Sequence, residues 1–478
     1  MKVVSLSLAL LAMLPCWSVL LDAQEVPPAA AVGPEAASGQ SEDNSQSTQA
    51  PVVLTGLGAA PQGALSAERD QLVPEFRVLE TVESNPNELP DVSSVRSITR
   101  ILGTVGVERV RNFTDLKLAY VGGAEIFNDS QESADRDRQL QEVYFDAKLK
   151  WKRTELRFVN AFSYLPEAPF GAGSFGGVGV FQSLLGGYLS GLTGSGLAQF
   201  SPAEFGSIGN SPRLLNVSVV ELQHRVSPRA VLTATAAFGL VNFLETPAEN
   251  PPLPNASQGI GEVGYNYAVR PKDTAAVLGG YGSFEFSHIG QAFTTAFTEL
   301  FWGHQFSSRT TLSGGAGPVV IDVKETGGGD QVTWMAVARL QYERPRTGVS
   351  LRYLHYINGG SGFLLGAHSD VGVVEVSHQL TRSWNGLLHA GYAHSTQIEG
   401  VTVPGFAVGS NNSFDRGYAG VRFSRPLTEH TEFFVLYNYS QTDLDQNPFC
   451  GSGECGKVVR QNIGGVGFTW APRPIRIR

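Results

Sequence analysis

Charge is scarce in this chain. Only 17% of its 478 residues are Asp, Glu, Lys or Arg, against about 25% in an ordinary soluble domain. Long apolar runs are missing too: after the N-terminus no stretch reaches the 18 or so residues of a spanning helix. A soluble α/β enzyme and a helical membrane protein are both disfavoured. Strands that meet lipid with every second residue escape hydropathy in this way. Basic charge is in deficit, with a formal net charge of −9, and no basic face is left for nucleic acid. H-E-x-x-H and G-x-S-x-G are absent, and no cluster of His and Cys has metal-ligand spacing. The reading is of a non-enzyme without metal or cofactor.

Cysteine is nearly absent. Of the 3, Cys16 follows Pro15, a poor neighbour for a lipidation signal. Cys450 and Cys455 close C-G-S-G-E-C, which in an exported chain is most simply a disulfide, with two free thiols as the other outcome. Export is expected from Met1 to Ala23, where Lys2 precedes an apolar stretch and Leu21-Asp22-Ala23 offers a cleavage site. Residues 24–74 are rich in Ala, Pro, Ser, Gln and Glu without apolar periodicity, the composition of a disordered periplasmic linker.

What the chain has in abundance is glycine, 55 residues, set into repeated alternation. Val143-Phe145-Ala147-Leu149-Trp151 opposes Glu142, Asp146 and Lys148. Val263-Tyr265-Tyr267-Val269 opposes Glu262 and Asn266. Phe433-Val435-Tyr437-Tyr439 opposes Glu432 and Asn438, although Phe434 and Leu436 blur that second face. The last such run, Val458 to Trp470, places Val466, Phe468 and Trp470 on one side and Gly465, Gly467 and Thr469 on the other. Period two marks strands with one apolar face. Paired strands join through tight turns such as Ser227-Pro228-Arg229 and Pro271-Lys272-Asp273, and longer loops lead to the next pair. Counting from Thr114 gives sixteen strands; Ile98 to Val110 and Phe76 to Val82 raise the count to eighteen. Bacterial barrels are even-numbered, so eighteen is favoured and sixteen is the alternative. The expected fold is all-β: a transmembrane up-and-down antiparallel barrel over residues 75–470, its last strand meeting its first. Residues 471–478 would form a periplasmic extension. Turns recurring about every 36 to 44 residues also suggest a soluble propeller, but unequal loops argue against it.

The hairpins L-Q-H-R-V-S-P-R-A-V-L-T-A-T and V-G-Y-N-Y-A-V-R-P-K-D-T and the ending G-V-G-F-T-W-A-P-R-P-I-R-I-R resemble a group of porin-like bacterial outer-membrane β-barrels. That group has no assigned activity. The resemblance implies a fold and an outer-membrane location, with lipid and a lipopolysaccharide-type outer leaflet as surroundings and outer-membrane insertion machinery as the route in. One departure is the tail beyond Trp470, where such barrels usually stop.

The face opposite the aromatic one supplies the candidate pore lining: Glu142, Asp146, Lys148, Arg157, Glu221, Arg225, Glu262, Arg270, Glu299, Arg339, Arg352, Glu375, Arg422 and Glu432. Glu155, Glu285, Glu343, Lys150 are assigned to the same face. Such a wall suits a pore for passive or weakly selective diffusion of small hydrophilic solutes. It equally suits a non-conducting barrel in a polysaccharide-export or surface-assembly system, its charges merely holding strands together. The loop from Leu165 to Arg213 carries no charge between Ala168 and Ala203 and is the third outward loop in the eighteen-strand count, a candidate constriction if it folds inward. Gly259-Ile260-Gly261-Glu262-Val263-Gly264 fits G-x-G-x-x-G but lies inside a strand pattern, where it does not bind nucleotide. His378, Asn385, His389 and His394 fall on adjacent strands, the one grouping from which a barrel enzyme could be built.

Overall fold

A computed structural model describes residues 69–85, 95–127, 138–165, 213–244, 255–287, 290–324, 330–360, 365–401, 413–444 and 458–477. The segment read as a signal peptide, most of the linker, the Cys450–Cys455 pair and the interior of the 165–213 loop lie outside these residues.

The strands are β1 (Arg69–Ser84), β2 (Val95–Val110), β3 (Thr114–Phe127), β4 (Arg138–Lys150), β5 (Thr154–Leu165) and β6 (Arg213–Ser227). β7 (Ala230–Phe243), β8 (Ala256–Arg270), β9 (Asp273–Phe286), β10 (Gln291–Ser307), β11 (Thr310–Lys324) and β12 (Gln331–Arg344) follow. β13 (Thr347–Gly360), β14 (Leu365–Gln379), β15 (Asn385–Gln397), β16 (Ser413–Pro426), β17 (Thr431–Leu444) and β18 (Val458–Trp470) complete the ring, and β19 (Ile475–Arg476) is a short addition. From β1 to β18 each strand pairs antiparallel with the next, and β18 returns to β1 with Trp470 opposite Phe76 and Val466 opposite Glu80. The result is one closed barrel of eighteen strands, without the separate four-stranded sheets of a propeller. The G-x-G-x-x-G run lies wholly within β8, with no helix for a phosphate.

Register shifts occur where β6, β8 and β10 reach their short turns, at Arg225/Ser227, Ala268/Arg270 and Gln305/Ser307. An extra residue there bends the strand and increases its twist. Both described ends of the barrel lie with the short turns, the periplasmic side in barrels of this kind.

β1 starts earlier than the composition implied. Arg69–Pro74, read as linker, pair with β2. A proline in a strand suggests a break because it lacks an N–H. Here β18 pairs with β1 from Phe76 onward and β19 pairs at Gln71 and Leu72. Pro74 falls in the gap between them, where no ladder bond is asked of it.

The two faces of the wall differ in surroundings. Val466, Phe468 and Trp470 are about half exposed on the outside, as are Val263, Tyr265, Tyr437 and Trp302. The inward residues of the same strands, such as Ile463, Glu262 and Leu436, are buried. Inward glycine makes room for inward bulk: a Cβ on Gly467 would lie 2.4 Å from Phe434 Cζ and 2.8 Å from the Val78 carbonyl oxygen. Phe434 and Leu436, which blurred the strand pattern, pack inside with Leu79 and Ile463.

The interior wall as candidate functional site

Residues paired across a ladder share a face, so one outward residue fixes the rest. Following the register from Val466 places Glu142, Asp146, Lys148, Arg157, Glu221, Arg225, Glu262, Glu299, Arg339, Arg352, Glu375, Arg422 and Glu432 on the inward face. Arg270 stands beyond the register shift in β8, exposed beside the turn. Glu285 is a correction: it pairs with Ala292 and Ser257 and lies exposed on the outer face. The strand reading failed there because Phe284 and Phe286 point inward.

Several of the inward charges are spent on one another. Arg157 grips Asp146 with two hydrogen bonds, Nε to Oδ1 at 2.8 Å and Nη2 to Oδ2 at 2.6 Å. Lys148 lies 3.1 Å from Glu155, and Arg422 lies 3.1 Å from Glu432. Each pair bridges neighbouring strands. Nearest the long-loop end, β1 to β3 hold a network that the strand pattern did not reveal. Arg100 donates to Glu125 at 2.8 Å and to Thr81 at 2.7 Å and meets Glu83 at 3.2 Å; Arg96 reaches Glu83 at 3.4 Å. These arginines alternate with inward Ile98 and Leu102, so no uniformly polar face announced them. Their outward neighbours Ser97 and Thr99 are polar instead, and both donate to Glu80 on the outer face of β1.

The other side is largely apolar, with Glu299 set between Phe297 and Phe301 on β10. Phe284, Phe286, Phe293, Phe297 and Phe301 on β9 and β10 join Val319, Ile321 and Met335 in one buried cluster. Onto this cluster folds the long-loop end of the β13–β14 hairpin. His355, Tyr356 and Ile357 are buried in succession, as are Leu365 and Ala367. Alternation has ended there, so both faces of the hairpin are covered. Ideal Cβ atoms show where it goes: that of Gly359 lies 3.6 Å from Phe284 and 3.7 Å from Gln258, on strands that are not its sheet neighbours. The chain after β15 follows it, with Ile398 N–H donating to the Gly366 carbonyl at 3.1 Å and Gln331 Nε2 to the Glu399 carbonyl at 2.9 Å.

The His grouping is not assembled. Asn385 and His389 lie on the inward face of β15, whereas His394 and His378 are on the outward face. His378 Nδ1 is 2.8 Å from Thr347 Oγ1, His394 Nδ1 is 2.9 Å from Asp415, and His389 is buried beside Tyr418. Among the described residues no group of three or more His, Cys, Asp or Glu is placed to hold a metal ion.

A closed ring with an apolar outside and a charged, internally bonded inside is a transmembrane β-barrel of the outer-membrane type. In lipid only helices and closed barrels satisfy all their backbone groups, and no described helix is long and apolar enough to cross. No family model matches the chain, and no curated protein matches it. Among solved structures it is similar to the outer-membrane protein opdK from Pseudomonas aeruginosa, at 12% identity over 84% of this chain and 99% of that one, with a TM-score of 0.42. Acinetobacter baumannii OccAB2 is similar at 11% identity over 84% and 98%, with a TM-score of 0.43. For Pseudomonas aeruginosa OprD the figures are 13%, 84% and 95%, with a TM-score of 0.39.

Proposed function

We propose that this protein is an outer-membrane channel through which small hydrophilic solutes diffuse passively and with weak selectivity. The observation that carries the reading is a charge-bearing inner face within an eighteen-strand ring, along which pairs such as Arg157 with Asp146 and Arg422 with Glu432 stand. A ring of that size is wide enough for an aqueous path. Paired charges keep its wall polar without favouring one sign of ion. The candidate lining residues Glu142, Glu221, Arg225, Glu299, Arg339, Arg352 and Glu375 belong to this wall, and the 165–213 loop is its candidate constriction. Planar-bilayer recording tests the reading: ohmic steps that persist over a panel of ions and sugars support it, and silence defeats it.

A second reading is favoured by one observation, the buried β13–β14 end lying inside the ring. A non-conducting barrel serving polysaccharide export or surface assembly would keep such an obstruction permanently. Silence in bilayers, together with co-purification of envelope partners, would support that reading over the channel.

A further inference from the structure

The short turns repeat one contact round the periplasmic rim. The carbonyl oxygens of Arg153, Arg229, Lys272, Arg309 and Arg346 each accept an N–H from the hairpin that follows. The donors are Arg225 at 2.7 Å, Ala268 at 2.8 Å, Gln305 at 2.9 Å, Glu343 at 2.9 Å and Gln379 at 2.8 Å. Five consecutive turns are fixed in this way, each with a basic residue at the bonded position. The bond uses only a backbone carbonyl, which any residue supplies. It does not explain the bases.

Nor are these five spent on acids. All are exposed, and the ion pairs at this end are made by other bases: Arg111 with Asp70, Lys150 with Asp115 and Arg473 with Glu429. Between β4 and β15 the same rim presents Lys152, Arg270, Arg344 and Arg382 as further exposed bases, and Glu343 as its exposed acid. The whole chain has a net charge of −9, so composition does not account for this excess. Toward the long-loop end the outward charges run the other way. There Glu80, Glu285, Asp322, Asp370, Asp415 and Asp443 face Lys324 and Arg460. At the rim, bases lean onto the lipid side of the wall. The Arg344 guanidinium lies 5.4 Å from the centre of the outward Tyr342 ring, and that of Arg425 lies 5.8 Å from Trp384. Exposed Trp151 and Trp470 stand at the same end. Aromatic rings of this kind mark the headgroup level of a membrane.

We propose that the basic rim of short turns binds the headgroups of anionic phospholipid in the periplasmic leaflet of the outer membrane. Consecutive hairpins are two strands apart, which sets the bases roughly 10 Å from one another along the rim. A partner that surrounds the barrel meets all of them. A protein docked from one side would call for a patch, not a rim. Each base near an anionic surface adds to the attraction, and the long side chains reach the phosphates while their stems lie along apolar surface. The inference holds whether or not the barrel conducts.

The test uses the full-length protein in phosphatidylcholine vesicles, with spin-labelled phosphatidylglycerol and spin-labelled phosphatidylcholine as probes. The immobilised fraction of each probe reports which lipid the barrel holds, and a heat-modifiable gel band certifies each variant as folded. The wild type should hold phosphatidylglycerol about fivefold more strongly at low salt, the factor that one base near an anionic surface supplies. The preference should shrink at 1 M salt as the charges are screened. Changing Arg153, Arg229, Lys272, Arg309 and Arg346 together to Gln should abolish it, and Arg229→Lys with Arg309→Lys should keep it. If the fivefold variant does not fold, Arg229→Gln with Lys272→Gln and Arg309→Gln takes its place, with a partial loss expected. Equal immobilisation of the two lipids by the wild type overturns the inference, as does full preference in the folded Gln variant. Two other results overturn it by giving the rim another role. Binding of polyglutamate without lipid preference would assign the rim to an acidic protein. A reversal potential moved by the Gln changes, again without lipid preference, would assign it to the mouth of the channel.

Discussion

Val435 and Leu436 are neighbours on β17 with opposite fates. Val435 pairs with Val466 on the outer face, and Leu436 is buried inside with Leu79 and Ile463. Charge on the outer side must therefore enter lipid. Val435→Arg or Tyr437→Arg is expected to destabilise the barrel by about 2–4 kcal/mol if the site is near the midplane. Glu432→Gln, inward at the short-turn end, should leave assembly intact. Folded fraction, read from gels of unheated samples, distinguishes the two; equal losses would refute the facing assignment. A second expectation concerns Gly467. Its Cβ would press on both a flexible ring and the fixed Val78 carbonyl, so Gly467→Val should cost about 1–3 kcal/mol as overpacking does. The urea midpoint of the reconstituted barrel is the measurement, and an unchanged midpoint would show that β1 and β18 can part without penalty.

At the scale of strands, alternation told most of the story because the outer face is apolar along most of each strand, with polar exceptions such as Glu80, Ser97, Thr99 and Glu285 towards the long-loop end. Val143 to Trp151, Val263 to Val269 and Phe433 to Tyr439 were legible for that reason. The inner face obeys no such rule. Phe284 and Phe293 could line it because another part of the chain covers them, and nothing local in the sequence marks a contact between β13 and β9. The facing of Glu285 and the network of Arg96 and Arg100 were missed for the same reason. The tail after Trp470 was visible only as an excess of residues. It is a working part of the closure: Ala471 N–H donates to the His430 carbonyl at 2.8 Å, Arg473 meets Glu429 at 2.9 Å, and β19 covers β1 at Gln71 and Leu72. Removing residues 471–478 exposes that strand edge to water, where its bonds are replaced rather than lost. The truncated barrel should therefore still assemble but lose its resistance to SDS at a lower temperature than the full chain. Identical melting in the gel assay would show the tail to be ornamental.

Along the axis of the ring, the consequence of pairing is a weak field where the pairs stand, as on β4 and β5. An isolated inward carboxylate attracts cations over about 10 Å at 0.1 M salt and about 3 Å at 1 M. A carboxylate held by an arginine at 2.6 Å, as Asp146 is by Arg157, acts on a passing ion mainly as a dipole. Cation and anion permeabilities should thus be close, and what difference exists should fade as salt rises. Breaking a pair should restore the field of the remaining member. Arg157→Gln leaves Asp146 uncompensated and should move the reversal potential in a salt gradient toward cations. Asp146→Asn leaves Arg157 and should move it toward anions. With both changed, the potential should return close to the wild-type value, because the pair contributes little net charge at a distance. Both single variants bury a lone charge, so their folded fraction must be checked first; the double variant is free of that penalty. If the two single variants shift the potential the same way, or if neither shifts it in a conducting barrel, then the path taken by ions does not run along the wall made by β4 and β5.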